Sequence, residues 1–160
     1  MTDVNKGPVF TEAVLEIFKL GGLLVNEGDL MTSEFGITSA RWKILGAIAL
    51  PGKPQTVPQI AKTMGLTRQA VQRLVDAMHK DGFLKFQTNP EHKRAKLIKL
   101  STLGEITYAA LDQKQMVWAT ECSSSLSKEE LDTTLSVLKN ISDIYLFFSV
   151  SESISFIGWY

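Results

Sequence analysis

A chain of 160 residues, 44% hydrophobic and 21% charged, has the composition of a folded globular protein, long enough for one domain with helical arms. No uninterrupted apolar run reaches the roughly 18 residues that cross a bilayer, and the polar residues 1–8 lack a signal-peptide core, so a cytoplasmic address is expected. The formal net charge is zero, which on average argues against nucleic acid, and the single cysteine, Cys122, excludes an intramolecular disulfide framework.

Residues 9–30 read as a helix, with Phe10, Ala13, Val14, Ile17, Phe18, Gly21, Leu24 and Val25 at helical spacing. That stripe is wider than one small domain needs to cover. Gly36 breaks the chain, and Thr38 is placed to cap a second helix over 39–50, with Trp42, Leu45, Ile48 and Ala49 on its buried side. Pro51, Gly52 and Pro54 end it. Thr56-Val-Pro-Gln59 has capping-box spacing, with Pro58 tolerated in the first turn, and a short helix follows through Ile60, Ala61 and Met64 as far as Gly65. Leu66 bridges to Thr67, a cap for the next helix, 68–80, which Gly82 closes. Two short helices joined by a tight glycine-containing turn make a helix-turn-helix.

The period then changes from helical to alternating. Residues 83–87 and 96–100 are short strands, and between them lies Thr88-Asn-Pro-Glu-His-Lys-Arg-Ala95, a polar hairpin loop. Helix, strand, basic loop, strand is the order of a winged helix. After Ser101 a helical pattern resumes, with Ile106, Ala109, Ala110, Gln113, Met116, Val117 and Thr120 on one weakly apolar face. Ser127-Lys-Glu-Glu130 is a second capping box, opening a helix with Leu131, Leu135, Leu138, Ile141 and Tyr145 on one side. The terminal helices carry more apolar surface than the central lobe can bury, and the simplest partner for such stripes is a second copy of the chain. The final ten residues break the pattern with Phe156, Ile157, Trp159 and Tyr160.

The zero net charge conceals a split. Residues 41–99 hold twelve Lys and Arg against Asp76, Asp81 and Glu91, a balance of +9, and the rest of the chain carries −9. A basic middle with acidic ends suggests a polyanion-facing unit whose flanks face elsewhere. On the helix 68–80, Val71, Leu74, Val75 and Met78 form the buried stripe, while Arg68, Gln69, Gln72, Arg73 and Asp76 face outward. Arg and Gln are the side chains that bind guanine and adenine edges bidentately in the major groove. Thr67, at the helix N-terminus, is placed to donate to a phosphate. His92, Lys93 and Arg94 fit a wing along the backbone or in the minor groove, and Lys85, Lys96 and Lys99 supply phosphate- or solvent-facing charge.

Residues 37–104 resemble the MarR family of bacterial transcriptional regulators. The likeness rests on Ile37-Thr-Ser-Ala-Arg-Trp-Lys-Ile-Leu45, on Ile60-Ala-Lys-Thr-Met-Gly-Leu-Thr-Arg-Gln-Ala-Val-Gln-Arg-Leu74, and on Asn89-Pro-Glu-His-Lys-Arg-Ala-Lys-Leu-Ile-Lys-Leu-Ser101, with Leu126-Ser-Lys-Glu-Glu-Leu131 extending it to the last helix. The resemblance implies a mainly α fold, a winged helix-turn-helix with a two-stranded wing in 37–101 and dimerisation helices in 9–35 and 102–148, with 149–160 a tail without an assigned role. It implies a homodimer, typically a repressor, on a pseudo-palindromic operator in double-stranded DNA. Carried over by position, Thr67, Arg68, Gln69 and Gln72 fall on major-groove contacts and Arg94 on the wing arginine. One departure stands out: two residues before that arginine the family usually has an acid, where this chain has His92. Many relatives respond to small aromatic or lipophilic effectors. Phe18, Met31, Phe35 and Trp42 are the candidates for lining such a site, but core packing accounts for them better.

Other chemistry is thinly supported. His79 and His92 stand thirteen positions apart without a Cys or carboxylate at ligand spacing, so no metal and no cofactor are expected. Cys122 has no basic neighbour to lower its pKa and reads as an ordinary helix residue. No nucleophile elbow, phosphate loop or histidine-anchored triad supports an enzyme. The competing reading is a winged-helix protein-interaction module with weak or no DNA binding.

Overall fold

The computed structural model describes residues 6–92 and 94–155. The chain divides into two compact units between Gln115 and Met116. The first begins with helix α1 (Lys6–Thr32) and a 3-10 turn, Ser33–Phe35, closed by Gly36 at φ 65°. Pro8 sits in the first turn of α1, where its missing N–H breaks no helical bond. Helix α2 (Ser39–Ala49) follows, capped as expected by Thr38, whose hydroxyl accepts the Arg41 N–H. Its buried side is Ser39, Ile44, Leu45, Ala47 and Ile48, whereas Trp42 and Ala49 are only half-buried. Leu45 and Ile48 are thus buried as expected and Trp42 and Ala49 are not: α2 packs against α1, α3, α4 and β2, so contacts on several sides decide which residues it hides.

Helix α3 (Val57–Met64) carries both halves of the Thr56–Gln59 capping box and ends at Gly65, whose φ of 63° is left-handed and free of strain only in glycine. Helix α4 (Arg68–Lys80) starts at the Thr67 cap and ends at Asp81, with Gly82 at φ 86° turning the chain into the hairpin. Strands β1 (Leu84–Gln87) and β2 (Leu97–Leu100) pair antiparallel in the register Leu84–Leu100, Lys85–Lys99, Phe86–Ile98 and Gln87–Leu97. Leu84 and Ile98 face the core and Lys85 and Lys99 face out, the alternation a pleated strand requires. Gln55 exchanges both backbone hydrogen bonds with Ile98, at 2.9 and 2.8 Å, and so anchors the segment before α3 to the wing. Ile44, Leu45, Ile60, Val71, Val75, Met78, Ile98 and Leu111 have no exposed surface and form the core of this unit.

Helix α5 (Thr102–Cys122) joins this core through Gly104, Thr107 and Leu111. The face expected for it remains open, since Ile106, Met116 and Val117 are all more than 60% exposed. In the second unit, helix α6 (Lys128–Ser155) opens on the Ser127–Glu130 capping box: the Ser127 hydroxyl accepts the Glu130 N–H at 3.2 Å and Glu130 accepts the Ser127 N–H at 2.8 Å. Those bonds from Ser127 hold the Glu130 carboxyl below its ordinary range. The helix continues through Ser155, beyond the break expected at 151, because no glycine or proline intervenes between 128 and 155. Phe156, Ile157, Trp159 and Tyr160 lie outside the described residues. Along α1 and α6 the apolar stripes are open to solvent, including Phe10, Phe18, Leu24 and Val25 on one and Leu131, Leu135, Leu138 and Tyr145 on the other. Among the described residues no helix is long and apolar enough to cross a membrane, and no group of His, Cys, Asp and Glu has the arrangement of a metal site.

Candidate nucleic-acid interface

Helix α4 is held by its rear face and presents its front. Val71, Val75 and Met78 are fully buried, while Thr67, Arg68, Gln69, Gln72, Arg73 and Asp76 are exposed. The Thr67 hydroxyl accepts the Ala70 N–H at 3.2 Å, which fixes the start of the helix and leaves the hydroxyl hydrogen available to an acceptor outside. At the other end His79 donates from Nδ1 to the Leu84 carbonyl at 2.8 Å, and its ring lies 4.6 Å from that of Phe86. These contacts fasten the helix to the wing. Lys96 completes the stack, with Nζ 5.3 Å from the Phe86 ring centroid, a cation–π distance.

Between α4, the start of α3 and the wing runs a groove of about 480 Å³. Arg68, Gln72 and Asp76 enter it from the helix, Arg94 and Lys96 from the wing, and Val57, Pro58 and Phe86 give it apolar walls. Of the residues singled out in the sequence, Arg68, Gln72 and Arg94 therefore share one concavity. Thr67, Gln69 and Arg73 are exposed on or beside the same helix but do not line the groove, and Lys93 lies outside the described residues. Three cations and one carboxylate give the groove a positive balance.

Within the wing, His92 closes the loop rather than pairing with the arginine. Its Nδ1 accepts the Ala95 N–H at 3.2 Å, so the neutral ring carries its proton on Nε2. Asn89 Oδ1 accepts the Glu91 N–H at 3.0 Å, an Asx turn that shapes the tip. Arg94 has no ion pair among the described residues and remains exposed.

The sequence reading missed two features. Arg41, counted with the basic segment, donates to Asp81 at 2.7 Å and is engaged inside the lobe. Gln72 donates from Nε2 to Asp76 Oδ1 at 2.8 Å, a pair whose four-residue helical spacing was visible in the sequence.

A second concavity, about 400 Å³, is lined by Trp42, Lys43, Leu50, Met64, Tyr108 and Gln115, among others. Burial, and then the nearby Asp112 carboxylate, push the Tyr108 phenol above its ordinary value, so it remains a donor at neutral pH. Of the four side chains weighed for an effector site, only Trp42 lines this cleft. Met31 is buried, Phe35 half-buried and Phe18 72% exposed, so Phe18 is not part of a core among the described residues.

A helix-turn-helix whose second helix shows arginine and glutamine beside a basic two-stranded hairpin defines a winged-helix protein of the duplex-binding type. Residues 35–95 match the model of the MarR family. A protein of Mycobacterium tuberculosis without an assigned function is 29% identical over 128 residues, 80% of this chain and 88% of its own. A MarR/EmrR family transcriptional regulator from Acinetobacter sp. ADP1 superposes with a TM-score of 0.77 at 21% identity, over 86% of this chain and 96% of that one. A mutant of MarR from E. coli complexed with operator DNA superposes with a TM-score of 0.63 at 28% identity, over 79% of this chain and 95% of that one. Residues 35–95, spanning the helix-turn-helix and most of the wing, are thus similar to the MarR family, and the fold is that of MarR-type winged-helix regulators.

Proposed function

We propose that this regulator acts as a homodimer that represses transcription by occupying a pseudo-palindromic operator, and that a small aromatic or lipophilic ligand releases it. The observation that carries the DNA-binding reading is the convergence of Arg68, Gln72 and Arg94 on one groove beside an exposed helix face. In this reading α4 enters the major groove, with Arg68, Gln69 and Gln72 on base edges. Thr67 and Arg73 hold phosphates, and Lys93 and Arg94 follow the backbone from the wing. Two lobes are needed to read two half-sites, and the open stripes of α1 and α6 are the surfaces available for pairing. The cleft beside Trp42 and Tyr108 suits an aromatic effector, with Lys43 at its rim to neutralise an acid. A protein that reads chromosomal DNA works where that DNA is, in the cytoplasm.

The test is a gel-shift titration against selected genomic fragments across a salt series. Sequence-selective binding whose affinity falls by about one power of salt concentration per phosphate contact is the expected outcome. Weak binding that is indifferent to sequence and salt would instead make the chain a protein-interaction module.

A further inference from the structure

We propose that Asp76 is a specificity-determining positioning residue: by holding the Gln72 amide in one orientation, it makes that position select against guanine. This inference rests on the reading in which α4 enters the major groove.

A glutamine amide is ambiguous. Free to turn over, it offers either an acceptor or donors to a base edge, and tolerates adenine and guanine alike. In this chain the ambiguity is removed. An ionised carboxylate only accepts, so the 2.8 Å bond from Gln72 to Asp76 fixes Nε2 on the Asp76 side. Oε1 is left as the outward acceptor, and the Gln72 side chain makes no other hydrogen bond among the described residues. Both side chains line the groove that holds Arg68 and Arg94, so the oriented amide belongs to the surface offered to the duplex.

The base edges then sort by their chemistry. Adenine presents the N6 amino group to Oε1 and N7 to the second hydrogen of Nε2, and cytosine presents its N4 amino group. Guanine shows only acceptors, O6 and N7, and meets Oε1 with a lone pair against a lone pair. Asp76 adds to this exclusion, because its own carboxylate faces the same groove and repels an acceptor edge. A carboxylate among Arg68, Arg94 and Lys96 also opposes the phosphate attraction of its neighbours. Its presence on a DNA-facing surface is thereby explained as selectivity gained against overall affinity.

Randomised duplexes are to be selected with the full-length wild-type chain and with Gln72→Ala, Asp76→Ala and Asp76→Glu, each first matched to wild type by circular dichroism and thermal melting. Wild type should disfavour guanine at one position per half-site by about tenfold, and Gln72→Ala should erase the preference at that position alone. Asp76→Ala should admit guanine there to within about threefold of adenine while strengthening binding to unrelated DNA. Asp76→Glu, still an acceptor-only partner, should restore the exclusion. If Gln72→Ala shifts one position and Asp76→Ala leaves it unchanged, the positioning role is overturned while the helix placement stands. If Gln72→Ala shifts no position, the placement of α4 and this inference fall together.

Discussion

The Arg41 guanidinium donates to the Asp81 carboxylate at 2.7 Å, across forty residues of sequence, and each partner stands at the unfavourable end of its own helix. Arg41 lies in the first turn of α2, where the helix dipole is positive, and Asp81 is the C-cap of α4, where it is negative. Paired, they cancel two mismatches and tie the start of α2 to the end of the helix that carries the groove residues. Removing either one strands the other. Arg41→Ala and Asp81→Ala should each cost about 1 kcal/mol in urea unfolding, with the double variant less destabilised than the sum of the two by about 0.5–1 kcal/mol. Strict additivity would show that the pair contributes nothing.

A second link fixes the α1–α2 corner and depends on acid. Asp29 Oδ1 accepts the Ser39 N–H at 2.7 Å, and this bond is the main reason its carboxyl titrates below the ordinary value of 3.8. A carboxyl depressed in the folded chain contributes stability above its unfolded value and loses it as pH falls through the folded one. The difference in melting temperature between wild type and Asp29→Ala should therefore be full at neutral pH and shrink below about pH 3.8. A difference that grows on acidification contradicts the assignment.

Gly104 is required for close approach rather than for its backbone angles. A Cβ there would lie 2.2 Å from the Phe83 carbonyl oxygen, and the same carbonyl accepts the Ser101 N–H at 2.9 Å. Backbone cannot yield as a flexible side chain does. Gly104→Ala should destabilise the chain by about 1–3 kcal/mol, measured by denaturant midpoint, whereas Gly7→Ala, in open space, should leave the midpoint within error.

Arginines in the groove should separate by role. Arg68→Ala should cost about 1–3 kcal/mol at the selected operator and relax base preference at one position. Arg94→Ala should weaken binding to all sequences about equally and reduce the slope of log affinity on log salt by about 1. An operator affinity untouched by Arg68→Ala would mean that a different face of α4 meets the duplex.

Association should be separable from folding of the lobe. Leu135 and Leu138 are 51% and 39% exposed on α6, so a charge there disturbs little within the chain. Leu135→Glu with Leu138→Glu should shift sedimentation from dimer to monomer and abolish tight operator binding, while retaining the helical circular dichroism. A wild-type chain that sediments as a monomer at micromolar concentration removes the basis of this prediction.

The sequence disclosed most where the physics is local. The Thr56–Gln59 box, the Gly65 turn, the Thr67 cap and the antiparallel hairpin each depend on neighbours within a few residues, and each formed as expected. The burial of α2 follows in part: Leu45 and Ile48 are hidden as their spacing indicates, but Ile44 and Ala47 are hidden as well, by elements distant in sequence, since periodicity alone does not set the angle of the stripe. On α1 the apolar spacing was legible but not what covers it: Phe18 satisfies the pattern and is 72% exposed. The Arg41–Asp81 pair spans forty positions and carries no local signature. The Gln72–Asp76 bond does carry one, its helical spacing, but a polar helix face holds several such pairs and spacing alone does not tell which of them closes.

Because Val71, Val75 and Met78 are sealed into the lobe, the α4 helix has no freedom to roll about its own axis. Turning it by even a fraction of a turn would pull three side chains out of a close-packed interior, at a cost of several kcal/mol. In the proposed dimer, a ligand that silences the chain would therefore leave the lobe intact and act on how far apart, or how steeply inclined, the two lobes are held, so that the geometry between copies, rather than the shape of the reading head, would be the quantity open to adjustment.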